Sequence, residues 1–210
     1  AKVDAVTFDG AGGGTGMSPV SMMDEMSIPT VYLESWVLKC AQILKRRKRY
    51  VPDIIMAGGF INETQIFKAL AMSNFGDGPL VKGVLMARSP LTAVMKSSYF
   101  VELSQKGKLP KAFAEGYGNT PDLFFIAASK LKSEYGERAM EIPWEAVGLH
   151  SYLTERVKVG LMQLMAGARK WRLNLLDRND LMALTERAAK VTGIPLAEEA
   201  EGEAVEKILE

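Results

Sequence analysis

Three times in its first half the chain passes from a short apolar run through a loop into a helical pattern. The first run, residues 3–9, ends on Gly10-Ala11-Gly12-Gly13-Gly14-Thr15-Gly16. The second, 53–57, ends on Gly58-Gly59, and the third, 82–87, ends on Arg88-Ser89-Pro90. Strands that alternate with helices predict an α/β fold built on a parallel sheet with crossover helices. In such folds, barrels and open sheets alike, ligands collect where the strands end. The three loops all follow strand ends, so they are the first place to look for chemistry.

The glycine cluster can turn tightly and present bare backbone N–H groups. Ser18 suits an N-cap and Pro19 a first helical position, so a helix start follows directly. N–H groups beside a helix N-terminus favour an anion or a polar cofactor edge. A plain strand-to-helix turn explains the same glycines equally well. The spacing is not the dinucleotide fingerprint, because the glycines are nearly contiguous, and no Lys follows the last one as a P-loop requires. In the second loop, Asn62 with Gln65 three residues on reads as a capping box. In the third, Arg88 offers a forked cation for a phosphate, or an ordinary surface ion pair.

Composition narrows the class. A chain of 210 residues, 48% hydrophobic and 24% charged, can bury one good core. A formal net charge of +1 gives no support for nucleic-acid binding. No apolar run approaches the roughly 20 residues that cross a bilayer, and no secretory signal is visible. The single cysteine, Cys40, excludes an internal disulfide and an all-cysteine metal or iron–sulfur site within this chain. No metal site is expected, and a cytoplasmic location fits best.

Between the loops the pattern is helical. Leu33, Trp36, Val37, Cys40, Ile43 and Leu44 predict a helix over 32–49 with one apolar stripe, and Cys40 within it reads as a buried, inert thiol. Lys45, Arg46, Arg47, Lys48 and Arg49 read as solvated cations at its C-terminal end. Met22, Met23 and Met26 read as core fillers. Residues 106–121 form a connection rich in Gly, Pro and Lys. Helices are expected over 122–135, over 151–171 and over 181–191, the last started by Asp177 or Asn179 and stopped by Gly193 and Pro195. Trp144 and Trp171 read as packing anchors. His150, the only histidine, reads as a packing or capping residue. The acidic end reads as a mobile tail or a short surface helix.

Gly13-Gly14-Thr15-Gly16 followed by Ser18-Pro19 resembles the Gly-Gly-Thr-Gly-x-Ser-Pro loop of the glutamate synthase FMN-binding domain family. Ile55-Met56-Ala57-Gly58-Gly59, a helix, and then Gly83-Val84-Leu85-Met86-Ala87 are similar to that family's seventh and eighth strands. The resemblance implies the C-terminal part of a (β/α)8 TIM barrel: the last three strand–helix units over 1–105, an all-helical extension over 106–196, and an acidic tail over 197–210. It implies FMN as cofactor, with Gly58, Gly59, Ala87 and Arg88 on its phosphate and Gly13, Gly14, Thr15 and Gly16 lining the flavin and substrate mouth.

The implied activity is that of a flavin oxidoreductase acting on CH–NH2 donors, reducing the imine of 2-oxoglutarate or a similar 2-oxo acid to the amino acid, as in glutamate synthesis. An electron-donor protein or subunit is an implied partner. No general acid or base is assigned. The chain departs from the family after the third strand, where residues 89–97 carry no cysteine in place of the usual iron–sulfur ligands. Five further strands are expected upstream or in another chain. Since an incomplete barrel leaves open sheet edges, the chain is expected to be an oligomer or a part of a longer chain. Two other readings remain: a phosphate-binding TIM-barrel enzyme without flavin, and a non-catalytic half-barrel subunit.

Overall fold

The computed structural model describes residues 2–11 and 17–209. In chain order it contains β1 (Ala5–Asp9), α1 (Val20–Asp24), α2 (Thr30–Arg46), β2 (Asp53–Ala57), α3 (Glu63–Met72), β3 (Val81–Val84) and α4 (Arg88–Gln105). There follow α5 (Lys111–Tyr117), α6 (Pro121–Phe124), α7 (Ala127–Tyr135), α8 (Trp144–His150), α9 (Val159–Gly167), α10 (Glu186–Thr192) and α11 (Ala197–Leu209). No helix among the described residues is long and apolar enough to cross a membrane. Two compact units divide the chain: residues 1–86 with 164–210, and residues 87–163.

The first unit holds the sheet, ordered β1-β2-β3 with every pairing parallel. Ala5 pairs with Asp53 and Asp9 with Ala57, so β1 and β2 end level. Between β2 and β3 the register steps at Ile54/Ile55, where Lys82 is the extra residue on β3. β2 is the central strand and its side chains make the core: Ile54 and Met56 are buried, as is Val81 on β3. β1 alternates exposed and half-buried residues.

The capping box at Asn62 forms as the sequence predicts. Gln65 N donates to Asn62 Oδ1 at 3.1 Å, and Asn62 N donates to Gln65 Oε1 at 3.3 Å. At the other end of α3, buried Ser73 donates to Leu70 O at 2.8 Å and accepts from Val81 N at 3.2 Å, tying the helix to β3.

The C-terminal residues complete this unit. Arg178 donates to Met72 O at 2.8 Å and to Thr192 O at 2.6 Å, so one guanidinium caps the ends of α3 and α10 together. It also lies 4.7 Å from the centre of the Phe75 ring. Asn74 donates to Leu176 O at 2.7 Å, and Leu176 is fully buried. The helix expected over 181–191 is shorter. Asp177 caps a single 3-10 turn, Arg178–Asp180, and Thr185 caps α10, which Gly193 ends in the left-handed conformation.

The second unit is helical. Gly148 of α8 lies against Ser97 and Ala93 of α4, so close that a β-carbon there would sit 1.7 Å from Ser97 Oγ. An aromatic chain runs Phe100–Phe113–Phe124–Phe125–Trp144, with ring centres 4.7, 5.5, 4.8 and 5.7 Å apart. Trp144, expected to pack these helices against the barrel, stacks on Phe125 within the helical unit itself. α8 continues into a π-helical stretch, Ser151–Lys158, whose buried Ser151 Oγ accepts from Ala127 N at 3.1 Å.

Several expectations are corrected. Trp171 is 75% exposed and anchors nothing. Met22 and Met26 are exposed, not core fillers. Pro19, not Ser18, holds the N-cap position of α1, with no side-chain cap. Cys40 is exposed, because α2 buries Glu34, Val37, Leu38 and Ala41, a face turned by about one residue from the expected stripe.

Arg178→Met should lower stability by about 2 kcal/mol, through two carbonyls left without their charged donor. Chemical denaturation of the full chain measures it. Lys45→Met, which removes only an exposed pair with Asp77, should leave the midpoint unchanged.

Candidate functional site

The ends of β1 and β2 are knotted to the start of α2. Gly10 N donates to Ala57 O at 3.0 Å, Ala11 N donates to Ile28 O at 2.7 Å, and Thr30 Oγ1 donates to Gly58 O at 2.6 Å. The backbones approach so closely that side chains are excluded. A β-carbon on Gly10 would meet Thr30 Oγ1 at 2.4 Å. One on Gly58 would meet Gly10 N and O at 2.7 Å, and Gly58 has φ +105°. Gly59, at φ +75°, is exposed and has room, its nearest neighbour being Ala11 O at 3.7 Å. The second glycine pair thus divides its work: Gly58 closes the knot, and Gly59 leaves a stretch of bare backbone facing outward.

The other predicted site residues lie elsewhere. Gly13, Gly14, Thr15 and Gly16 fall outside the described residues. Ala87 and Arg88 belong to the second unit, where Ala87 is the N-cap of α4 and Arg88 its first residue. Arg88 is exposed, and among the described residues no ion pair holds its guanidinium. A free cation on the first turn of an 18-residue helix suits an anion. His150 lies 3.4 Å from Thr154 Oγ1 and 3.8 Å from Glu155 Oε1, at the C-terminal end of α8. No cluster of His, Cys, Asp or Glu that would hold a metal occurs among the described residues.

Behind the Gly58–Gly59 loop lies a cavity of about 500 Å³. The N-terminal turns of α2, the loop, α3, the segment 181–184 and α10 line it, all within the first unit. One side chain on its wall is out of place in an apolar setting. Glu34 is only 3% exposed, and its Oε1 has no hydrogen-bond partner among the described residues. Burial pushes its carboxyl up from the ordinary 4.5 to about 8. The signal was in the sequence: Glu34, Val37, Leu38 and Ala41 follow i, i+3, i+4, i+7, and only the acid at the first position hides the face.

A family model described as the conserved region in glutamate synthase matches residues 1–86. No curated protein and no solved structure matches the chain.

Gly58→Ala should cost about 3 kcal/mol or more, because a strained backbone and a backbone overlap add. Gly59→Ala should cost about 1 kcal/mol, the strain alone; denaturant midpoints of the two variants separate the roles. Glu34 also sets a pH dependence. With its folded-state value raised, the native state binds the extra proton between pH 4.5 and about 8, so stability falls as pH rises through that window. The loss across the whole window should be about 5 kcal/mol. Glu34→Gln should flatten the profile and be the more stable protein at pH 8; parallel profiles for the two proteins would refute the assignment.

Proposed function

We propose, from the match of residues 1–86 to the conserved region in glutamate synthase, that the chain forms part of an FMN-dependent oxidoreductase that reduces a 2-imino acid to an amino acid. That match is the observation that carries the reading, and it supports a role in amino-acid metabolism. The boundary supports it too: the match ends at residue 86, where the sheet-bearing part of the first unit ends.

In this reading the three strand–helix units are the last three of a (β/α)8 barrel. The chemistry of the residues fits an FMN phosphate. Gly59 presents outward backbone with space before it, and Arg88 offers an exposed guanidinium at a helix start. Gly58, Gly59, Ala87 and Arg88 would hold the phosphate, and Gly13, Gly14, Thr15 and Gly16 would line the flavin and substrate mouth. When bound, FMN supplies the two-electron redox chemistry. This chain's part is to bind and orient: bare backbone lets the loop approach the phosphate, and the guanidinium offsets its charge. The substrate is 2-oxoglutarate or a similar 2-oxo acid. Residues 89–97 carry no cysteine, so this segment would hold no iron–sulfur cluster, and an electron-donor protein or subunit would be the partner of this reading.

The test is a titration of the full chain followed by quenching of flavin fluorescence. FMN should bind, riboflavin should bind more weakly, and Arg88→Ala should weaken FMN about tenfold while barely moving riboflavin. Failure to bind FMN, with inorganic phosphate still binding, would favour a phosphate-binding enzyme without flavin.

A further inference from the structure

We propose that the cavity behind the Gly58–Gly59 loop is a binding site for a small organic cation with an apolar body, whose ammonium group pairs with the Glu34 carboxylate. The site does not depend on flavin binding. It lies wholly in the first unit, between α2, α3 and the C-terminal segment.

Three observations converge. The first is the orphaned acid: Glu34 is 97% removed from solvent, lines the cavity, and leaves Oε1 without a partner among the described residues. Buried polar groups are normally satisfied, and an unsatisfied one in a cavity wall marks the place of a missing donor. The second is the wall. Val31, Phe60, Met72, Leu181, Leu184 and Ile194 make it mostly apolar, which suits a hydrocarbon or aromatic body and not a hydrated ion. The third is size. About 500 Å³ falls in the range of pockets that hold whole small molecules. A divalent metal would need further carboxylate or imidazole ligands beside Glu34, and no cluster of three such residues occurs among the described residues.

The charge balance favours a cation over an anion. Lys68 of α3 is the other charged residue on the wall; it is exposed, and among the described residues no ion pair joins it to Glu34. On α10, Arg187 is engaged with Tyr32, and the segments 58–60 and 181–184 carry no charge. Thr30, one helical turn before Glu34, lies on the same face of α2 and also lines the cavity. Its Oγ1 donates to Gly58 O and keeps lone pairs for a second ammonium N–H. Because burial holds the Glu34 carboxyl near 8, the empty protein is largely protonated there at neutral pH. An entering ammonium restores the carboxylate and releases that proton, so binding should tighten as pH rises toward 8.

Calorimetry on the full chain tests this with three probes that share one body: phenethylammonium, phenethyl alcohol and phenylacetate. Phenethylammonium should bind most tightly, with a heat that varies with the buffer's ionisation and so reports the released proton. Glu34→Gln should weaken it about tenfold or more and leave phenethyl alcohol unchanged. Lys68→Met should leave phenethylammonium unchanged. The proposal is overturned if phenethylammonium does not bind, if phenylacetate binds better, or if Glu34→Gln binds the cation as well as the parent. Loss of binding on Lys68→Met alone would also overturn it, since Lys68 would then set the charge preference.

Discussion

Everything in the first unit depends on a backbone-to-backbone approach at Gly10 and Gly58. The two strands end level, at Asp9 and Ala57, and the residues that follow them, Gly10 and Gly58, occupy the same space. The conflict is resolved by removing side chains from the crossing and filling the gap with one hydroxyl, Thr30 Oγ1, bonded to Gly58 O at 2.6 Å. That bond fixes where α2 begins relative to the β2–α3 loop. It therefore also fixes where the next turn of α2 places Glu34, and how Gly59 faces outward. A packed interior tolerates no slack at such a point, because backbone atoms cannot repack as side chains can.

The same knot explains how a buried acid can be kept. Glu34 opposes folding once it ionises, and an apolar residue of similar volume would serve α2 better. Its position one turn from Thr30 puts it beside the most closely packed part of the unit, where the carboxyl is buried. A structural cost borne at a rigid point, in a cavity with room for a partner, is the usual physical form of a prepared binding site.

Legibility followed the range of the interactions. β2 and the Asn62–Gln65 box could be read because both are set by neighbours a few residues apart. The face of α2 could not be read correctly. Trp36 and Leu44 outweigh Ala41 in any apolar pattern, yet Trp36 is 70% exposed while Ala41 is buried. The pattern ranks hydrophobicity, whereas close packing against the sheet selects the smaller residues. The short α10 was misplaced for another reason. Asp177 and Asn179 look like caps and Asp177 is one, but the turn it starts is ended early, where Arg178 is drawn to carbonyls at Met72 and Thr192. No local rule contains a bond spanning 106 residues. Of the site, the glycines at 58 and 59 were legible as bare backbone, but not that one closes a knot and the other faces out. The role of Thr30 was invisible, since it depends on Gly10 and Gly58 meeting in space.

Those long-range bonds explain why the matched segment and the compact unit have different extents. Residues 1–86 carry the family pattern, but they leave the last carbonyl of α3 and the side-chain amide of Asn74 without partners. Residues 164–210 supply those partners through Arg178 and the backbone at Leu176, and in doing so bring 181–184 and α10 over the groove between α2 and α3. The groove gains its second wall by that addition. The segment that matches the family therefore brings Glu34, and the C-terminal segment brings much of the apolar wall around it. The two carbonyls that Arg178 holds belong to Met72 and Thr192, both on the wall of that cavity, so the contact that docks the C-terminal segment also sets the wall of the cavity.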